Sequence, residues 1–296
     1  MNAIDINGTT YSTPSSWNEL TRKQLIRYCR IILRNITMVK AKMIMVSLFV
    51  GFWGWRRLNG IYKSERKRIT RLLMTNKIEL DDYNYLVAQL DEQIYHLQNS
   101  VNFLFADIQL TRWLIPTIRC GWFGPVLCGP ANEMRNSSFH EFGKADSHFL
   151  KYMKSKDTRE LNQFIACLYR KPTGPSESSI KWNGDIREPF NEHTVSKRSE
   201  LIKRISLPVK QAIITNYIGV RSNIVKKHPH VFVSDDSKKK EPDPNGLLRI
   251  IPHLGQIVQN DLIARSELYS VLYNMEQSEI NRIKQEAEME KIRKKS

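Results

Sequence analysis

Glycine, proline and cysteine are all scarce in this chain of 296 residues, at 13, 12 and 4. Such usage excludes a collagen-like repeat, a low-complexity tract and a small disulfide-stapled scaffold. The cysteines, Cys29, Cys120, Cys128 and Cys167, form no C-x-x-C pair and read as buried, inert thiols of a reducing compartment. Long apolar runs are lacking too. Residues 43–55 (MIMVSLFVGFWGW) carry no charge, but thirteen residues fall short of the roughly 20 that a spanning helix needs, so no stable membrane span is expected. The first residues have neither the basic start nor the apolar run of a secretory signal, so export by that route is not expected.

Recognisable catalytic motifs are the third absence. No G-x-x-x-x-G-K-[ST] loop, no G-x-G-x-x-G after a strand and no G-x-S-x-G elbow occurs. His140 and His148 lie eight residues apart, about 12 Å along a helix axis, too far for one ion. His228 and His230 flank Pro229 in an extended segment without a third ligand nearby. Glu141, Asp146 and Asp157 read as helix-surface or capping residues. The expectation is therefore a protein without catalytic residues, cofactor or metal, and not an enzyme.

What is abundant is positive charge: 46 basic against 30 acidic residues, a formal charge of +16. With 41% hydrophobic residues a chain of this length buries roughly 70–75% of its unfolded surface, enough for a core without disulfide or metal. Asn7-Gly8 between two alternating runs predicts a β-hairpin that Pro14 closes. Ser16-x-x-Glu19 and Thr21-x-x-Gln24 are alternative capping boxes for the first helix. Further helices are predicted over 38–49, 60–75 and 81–105, the last from Leu86, Leu90, Ile94, Leu97, Val101 and Leu104 recurring at intervals of three and four. Residues 43–55 read as a core helix entering a turn at Gly51 and Gly54.

Pro116, Gly121, Gly124, Pro125, Gly129 and Pro130 break the pattern between 111 and 139, which places a soft domain boundary there and divides the chain into 1–110 and 111–296. Helices resume over 139–153, 157–169, 195–205 and 208–227. Between them 171–194 is irregular and carries Trp182 and Phe190. Residues 235–245 (DDSKKKEPDPN) read as a solvated linker, followed by helices over 246–258 and from 261 to the end. The last tract, from Glu276, is nearly all polar and reads as a projecting, charge-paired helix. The fold class expected is mainly α: a bundle-like helical body with a small N-terminal β-hairpin and a projecting charged C-terminal helix.

The basic residues cluster. Between Arg56 and Lys77 there are eight of them against Glu65 alone, and residues 197–240 form a second such region. Helical spacing puts Lys63, Lys67 and Arg71 on one stripe with Arg56 in the entry turn, a footprint for a phosphate backbone or for an acidic protein partner. Trp53, Trp55, Trp113 and Trp122 are the candidate docking aromatics. No helix-turn-helix, zinc-finger or RNA-recognition signature accompanies them.

The opening hairpin and the run Pro14-Ser15-Ser16-Trp17-Asn18-Glu19-Leu20-Thr21 resemble the start of tail-module proteins of tailed bacteriophages, including tail assembly chaperone-like proteins. Residues 136–146 (NSSFHEFGKAD) and 161–170 (LNQFIACLYR) are similar to segments of proteins from phages of Bacteroides-type hosts. The resemblance implies a setting and no reaction: a non-enzymatic virion morphogenesis protein, either a minor virion structural part or a tail-assembly protein. Its partners would be other phage structural or assembly proteins, in the host cytoplasm during assembly and in the virion. The chain exceeds the usual length of the chaperones. The rival reading is a basic nucleic-acid-binding protein associated with the phage genome, with DNA as partner.

Overall fold

The computed structural model describes residues 2–6, 8–173, 178–180, 184–232 and 267–295. The fold is mainly α: eight α-helices and two short antiparallel strand pairs among the described residues. The chain divides into two compact units, Met1–Gln109 and Leu110–Ser296.

In the first unit β1 (Asn2–Ile6) pairs antiparallel with β2 (Thr9–Thr13), Ile4 opposite Tyr11 and Ile6 opposite Thr9. Gly8 takes φ +75°, and its N–H donates to Asp5 Oδ1 at 2.9 Å, which closes the hairpin. Ile4 and Ile6 face inward. Of the two capping boxes, the Thr21/Gln24 pair starts α1 (Arg22–Ile32). Glu19 turns back instead to accept from the Ser15 N–H at 2.8 Å. Trp17 is buried there, its Nε1 donating to the Asp107 carbonyl at 3.1 Å and its ring standing edge-on to Tyr28 and Phe103.

α2 (Met38–Met74) replaces the two shorter helices that the sequence predicts. The backbone leaves helical geometry only at Gly51 (φ +76°), and helix resumes at once over 52–74. Gly54 is therefore not a turn residue. A Cβ there would lie 2.8 Å from the Tyr11 ring, so the glycine lets α2 approach β2. A window of 18 residues in α2 is apolar and long enough to cross a bilayer by composition alone, with 28% of it buried.

α3 (Leu80–Asn99) follows a short turn and packs on α2. It stops six residues before the predicted end. The next turn is a 3₁₀ segment, Asn102–Phe105, which seats Leu104 in the core and presents its carbonyl to the Tyr28 hydroxyl at 2.8 Å.

In the second unit β3 (Thr117–Arg119) pairs with β4 (Val126–Cys128). α4 (Phe139–Ser155) is capped by Ser138, whose Oγ accepts from the Glu141 N–H, and α5 (Thr158–Leu168) by Asp157. α6 (Val195–Ile202) and α7 (Leu207–Lys227), with Pro208 in its first turn, complete the body. The core is aromatic: Tyr217 of α7 meets Phe164 of α5 at 4.8 Å and Phe149 of α4 at 5.0 Å between centroids. α8 (Leu268–Lys295) buries Leu268 and Leu272, then continues exposed beyond Glu276 with pairs such as Arg282 to Glu279 and Lys294 to Glu290. The predicted linker 235–245, the helix 246–258, Trp182 and the end of the basic region 197–240 lie outside the described residues.

Candidate docking surface

The helical hairpin of α2 and α3 has a narrow seam. On α2 it consists of Leu58, Tyr62, Ile69 and Leu73, all buried or half-buried, and on α3 of half-buried Tyr83, Val87, Leu90, Ile94 and Leu97. The Tyr62 hydroxyl donates to Asp91 Oδ1 at 2.7 Å across the seam, and that bond raises the Tyr62 phenol above its ordinary value.

Half a turn round α2 from the seam lie Arg56, Lys63, Lys67 and Arg71, at intervals of seven, four and four. Arg56 is inside the helix, not in an entry turn, so all four share one stripe. All four are exposed, and among the described residues none of them makes an ion pair. Their neighbours are engaged: Arg57 with Thr9, Arg66 with the Tyr62 hydroxyl at 2.9 Å, and Arg68 with Glu65 at 2.8 Å. Phe52 and Trp53 head the same helical segment, edge to face at 5.3 Å and 69% and 75% exposed.

The other tryptophans divide. Trp55 is half-buried and Trp122 is exposed at the tip of the β3–β4 turn beside Phe123. Trp113 is a core residue: it is buried, and its Nε1 donates to the Ile115 carbonyl and the Tyr169 hydroxyl, both at 3.1 Å. Its bulk and its donor are both used internally, so it offers nothing to a partner.

The second unit contains an open cleft of about 980 Å³, lined in part by Asn136, His140, Glu141, Arg170, Asp185 and Phe190. Its floor is a brace. Glu141 Oε2 accepts from Arg170 Nη2 at 2.7 Å, and Oε1 from Arg187 Nη1 at 2.8 Å. Asp185 binds the same two guanidinium groups, at 3.1 Å and 2.8 Å. Two carboxylates thus neutralise two arginines, and Arg187 also donates to the Leu168 and Asn136 carbonyls. Burial lowers the Arg170 guanidinium below its ordinary value although Glu141 opposes this.

Two residues read from sequence as surface groups are therefore interior ones. Glu141 is 1% exposed inside this brace. Asp146 is 3% exposed and accepts from the Tyr217 hydroxyl at 2.9 Å and from Arg221 Nε at 2.6 Å. Asp157 is the cap of α5, as its position implies.

The histidines have separate surroundings. His140 stands edge-on to Phe190 with Glu192 3.6 Å away, and His228 lies 6.2 Å from the Tyr269 ring. His148 Nδ1 is 2.7 Å from Glu160 Oε2, which assigns the ring proton to Nδ1. Burial holds the His148 imidazole below its ordinary 6.5, outweighing the opposing pull of Glu160. Below about pH 6.5 the unfolded chain therefore takes up a proton that the native ring resists. Stability contributed by His148 is present above that pH and lost as pH falls through the lower folded value. Urea midpoints at pH 7.5 and 5.0 should differ in the wild type and differ less in His148→Gln.

Comparison with protein-family models, curated proteins and solved structures finds no match for the chain. The surface must therefore be interpreted from its own chemistry. On the described residues, one feature left without an internal counterpart is the cationic stripe of α2, together with the aromatic pair at its head.

Proposed function

We propose that this chain is a non-enzymatic virion morphogenesis protein of a tailed phage, a minor structural component or a tail-assembly factor that works by docking on other proteins. The observation carrying this reading is the row of outward-facing cations on α2. Like charges four apart on a helix repel by about 0.2–0.5 kcal/mol per pair, so Lys63, Lys67 and Arg71 weaken their own helix slightly. Counter-charge on a partner would relieve that repulsion and steer the encounter. Exposed Phe52 and Trp53 supply the large side chains that carry much of the energy at protein interfaces. The phage setting rests on the likeness of the opening hairpin and the Pro14–Thr21 run to tail-module proteins.

The test is affinity capture from infected cells, with mass spectrometry of purified particles alongside. Recovery of phage tail or head proteins with the wild type, and their loss with Lys63→Glu/Arg71→Glu, is expected. Recovery of none would overturn the proposal. DNA binding through the same stripe is the competing outcome. It would appear as duplex affinity falling steeply with salt, because each phosphate neutralised releases counterions.

A further inference from the structure

The two helices of the hairpin differ in sign. Over 52–74, α2 carries seven basic residues against Glu65, whereas 79–99 contains five acidic residues, Glu79, Asp81, Asp82, Asp91 and Glu92, and no lysine or arginine. The outer face of α3, half a turn from its seam, consists of Asp81, Tyr85, Ala88, Glu92 and Tyr95, at intervals of four, three, four and three. All five are exposed, the two tyrosines by 63% and 58%. Glu92 has exposed His96 3.6 Å away.

We infer that the partner of the α2 stripe is the outer face of α3 on a second copy of this chain, so that hairpins stack side by side in a row. This rests on the docking role proposed above and gives it an occupant. The Tyr62–Asp91 bond fixes which residues of the two helices lie at equal height. Counting from it at about 1.5 Å per residue, Arg71 is level with Asp81 to within roughly 2 Å, and Lys63 with Glu92 to within roughly 3 Å. Lys67 comes level with Tyr85, whose ring face attracts a cation. Tyr95 falls between Arg56 and Gly60.

Gly60 matters here because a Cβ at that position would meet nothing within 4 Å. It leaves an open notch in the cationic stripe that receives a tyrosine ring, while Ala88 on the facing helix keeps the axes close. A plain sideways shift of one hairpin past the next thus brings opposite charges together and sets a ring against a notch. The two faces differ, so the contact is heterologous and each copy keeps one face free for another. Repetition then builds a ring or a filament, a form suited to a particle component.

Sedimentation of the full chain at 50 mM and 500 mM salt tests this. The wild type should form concentration-dependent species beyond a dimer at low salt, with dissociation constants rising at least tenfold at high salt. Lys63→Glu/Arg71→Glu and Asp81→Lys/Glu92→Lys should each be monomeric with unchanged helical circular dichroism, since all four side chains are exposed. In an equimolar mixture the unaltered faces pair between the two variants and so do the reversed ones, so larger, alternating species should return. The four changes combined should restore larger species. A wild type that stays monomeric in both salts, a mixture that does not pair, or a monomer that uses the stripe to bind a duplex DNA probe would overturn the inference. A monomer that still captures phage structural proteins would overturn it while leaving the docking role intact.

Discussion

Glu141→Ala is expected to lower the stability of the second unit by about 3–5 kcal/mol, the cost of leaving buried charge without its partner. In the wild type both oxygens of Glu141 are occupied by guanidinium groups, and Arg170 and Arg187 are almost wholly buried. Removing the carboxylate leaves Asp185 alone between two cations. The brace also ties the segment around Asp185 and Arg187 to α4 and to the end of α5, through Arg187 and the Leu168 carbonyl. Urea unfolding should show an earlier transition, and hydrogen exchange should rise in α4 and α5 while α2 and α3 keep wild-type protection. Glu141→Gln keeps the shape but not the charge and should recover only part of the loss.

Gly219→Val should cost about 3 kcal/mol or more, at or above the upper range for overpacking a core. The glycine is in the middle of α7, where its Cα faces the main chain of Leu110. A Cβ would sit 2.4 Å from the Leu110 carbonyl oxygen and 2.8 Å from its nitrogen. Backbone cannot swing aside as a flexible side chain can, so α7 itself would have to move. That would disturb Tyr217 and the aromatic cluster around it, and a lower melting temperature with a weaker near-ultraviolet signal is the expected readout. Gly219→Ala should show the same change in smaller measure.

These two sites mark where sequence reasoning stops. Helix starts were legible because capping is local: Thr21 and Gln24 are three residues apart, and Asp157 caps α5 by accepting from the Arg159 N–H two residues on. The hairpin at Asn7-Gly8 was legible for the same reason. Glu141 read as a surface residue because its partners lie 29 and 46 positions downstream, and no periodicity couples a carboxylate to arginines at that distance. Gly54 read as a turn because a glycine required by a neighbour's ring and one required by a positive φ look alike in a sequence. Of Gly51 and Gly54, only Gly51 is of the second kind.

The end of α3 misled in another way. The apolar spacing continues through Val101 and Leu104, but the backbone tightens after Asn99, and a 3₁₀ turn delivers those side chains to the core instead. For the docking surface the stripe of α2 was legible from spacing alone. Arg56 joined it only because helix resumes at 52 rather than near 60. The acidic outer face of α3 gave no comparable signal, since two carboxylates and two tyrosines spread over fifteen residues resemble any solvated helix.

The break at Gly51 has a mechanical consequence. The 23 residues beyond it form a rod of about 34 Å, at 1.5 Å per residue, so a 10° change of direction at that one residue displaces the far tip by roughly 6 Å. An L-residue there would bear a penalty of about 1–3 kcal/mol, because φ +76° with ψ 177° is a region essentially reserved for glycine. Aim of the cationic rod thus depends on a single pivot lacking a side chain, many ångströms from the charges it points.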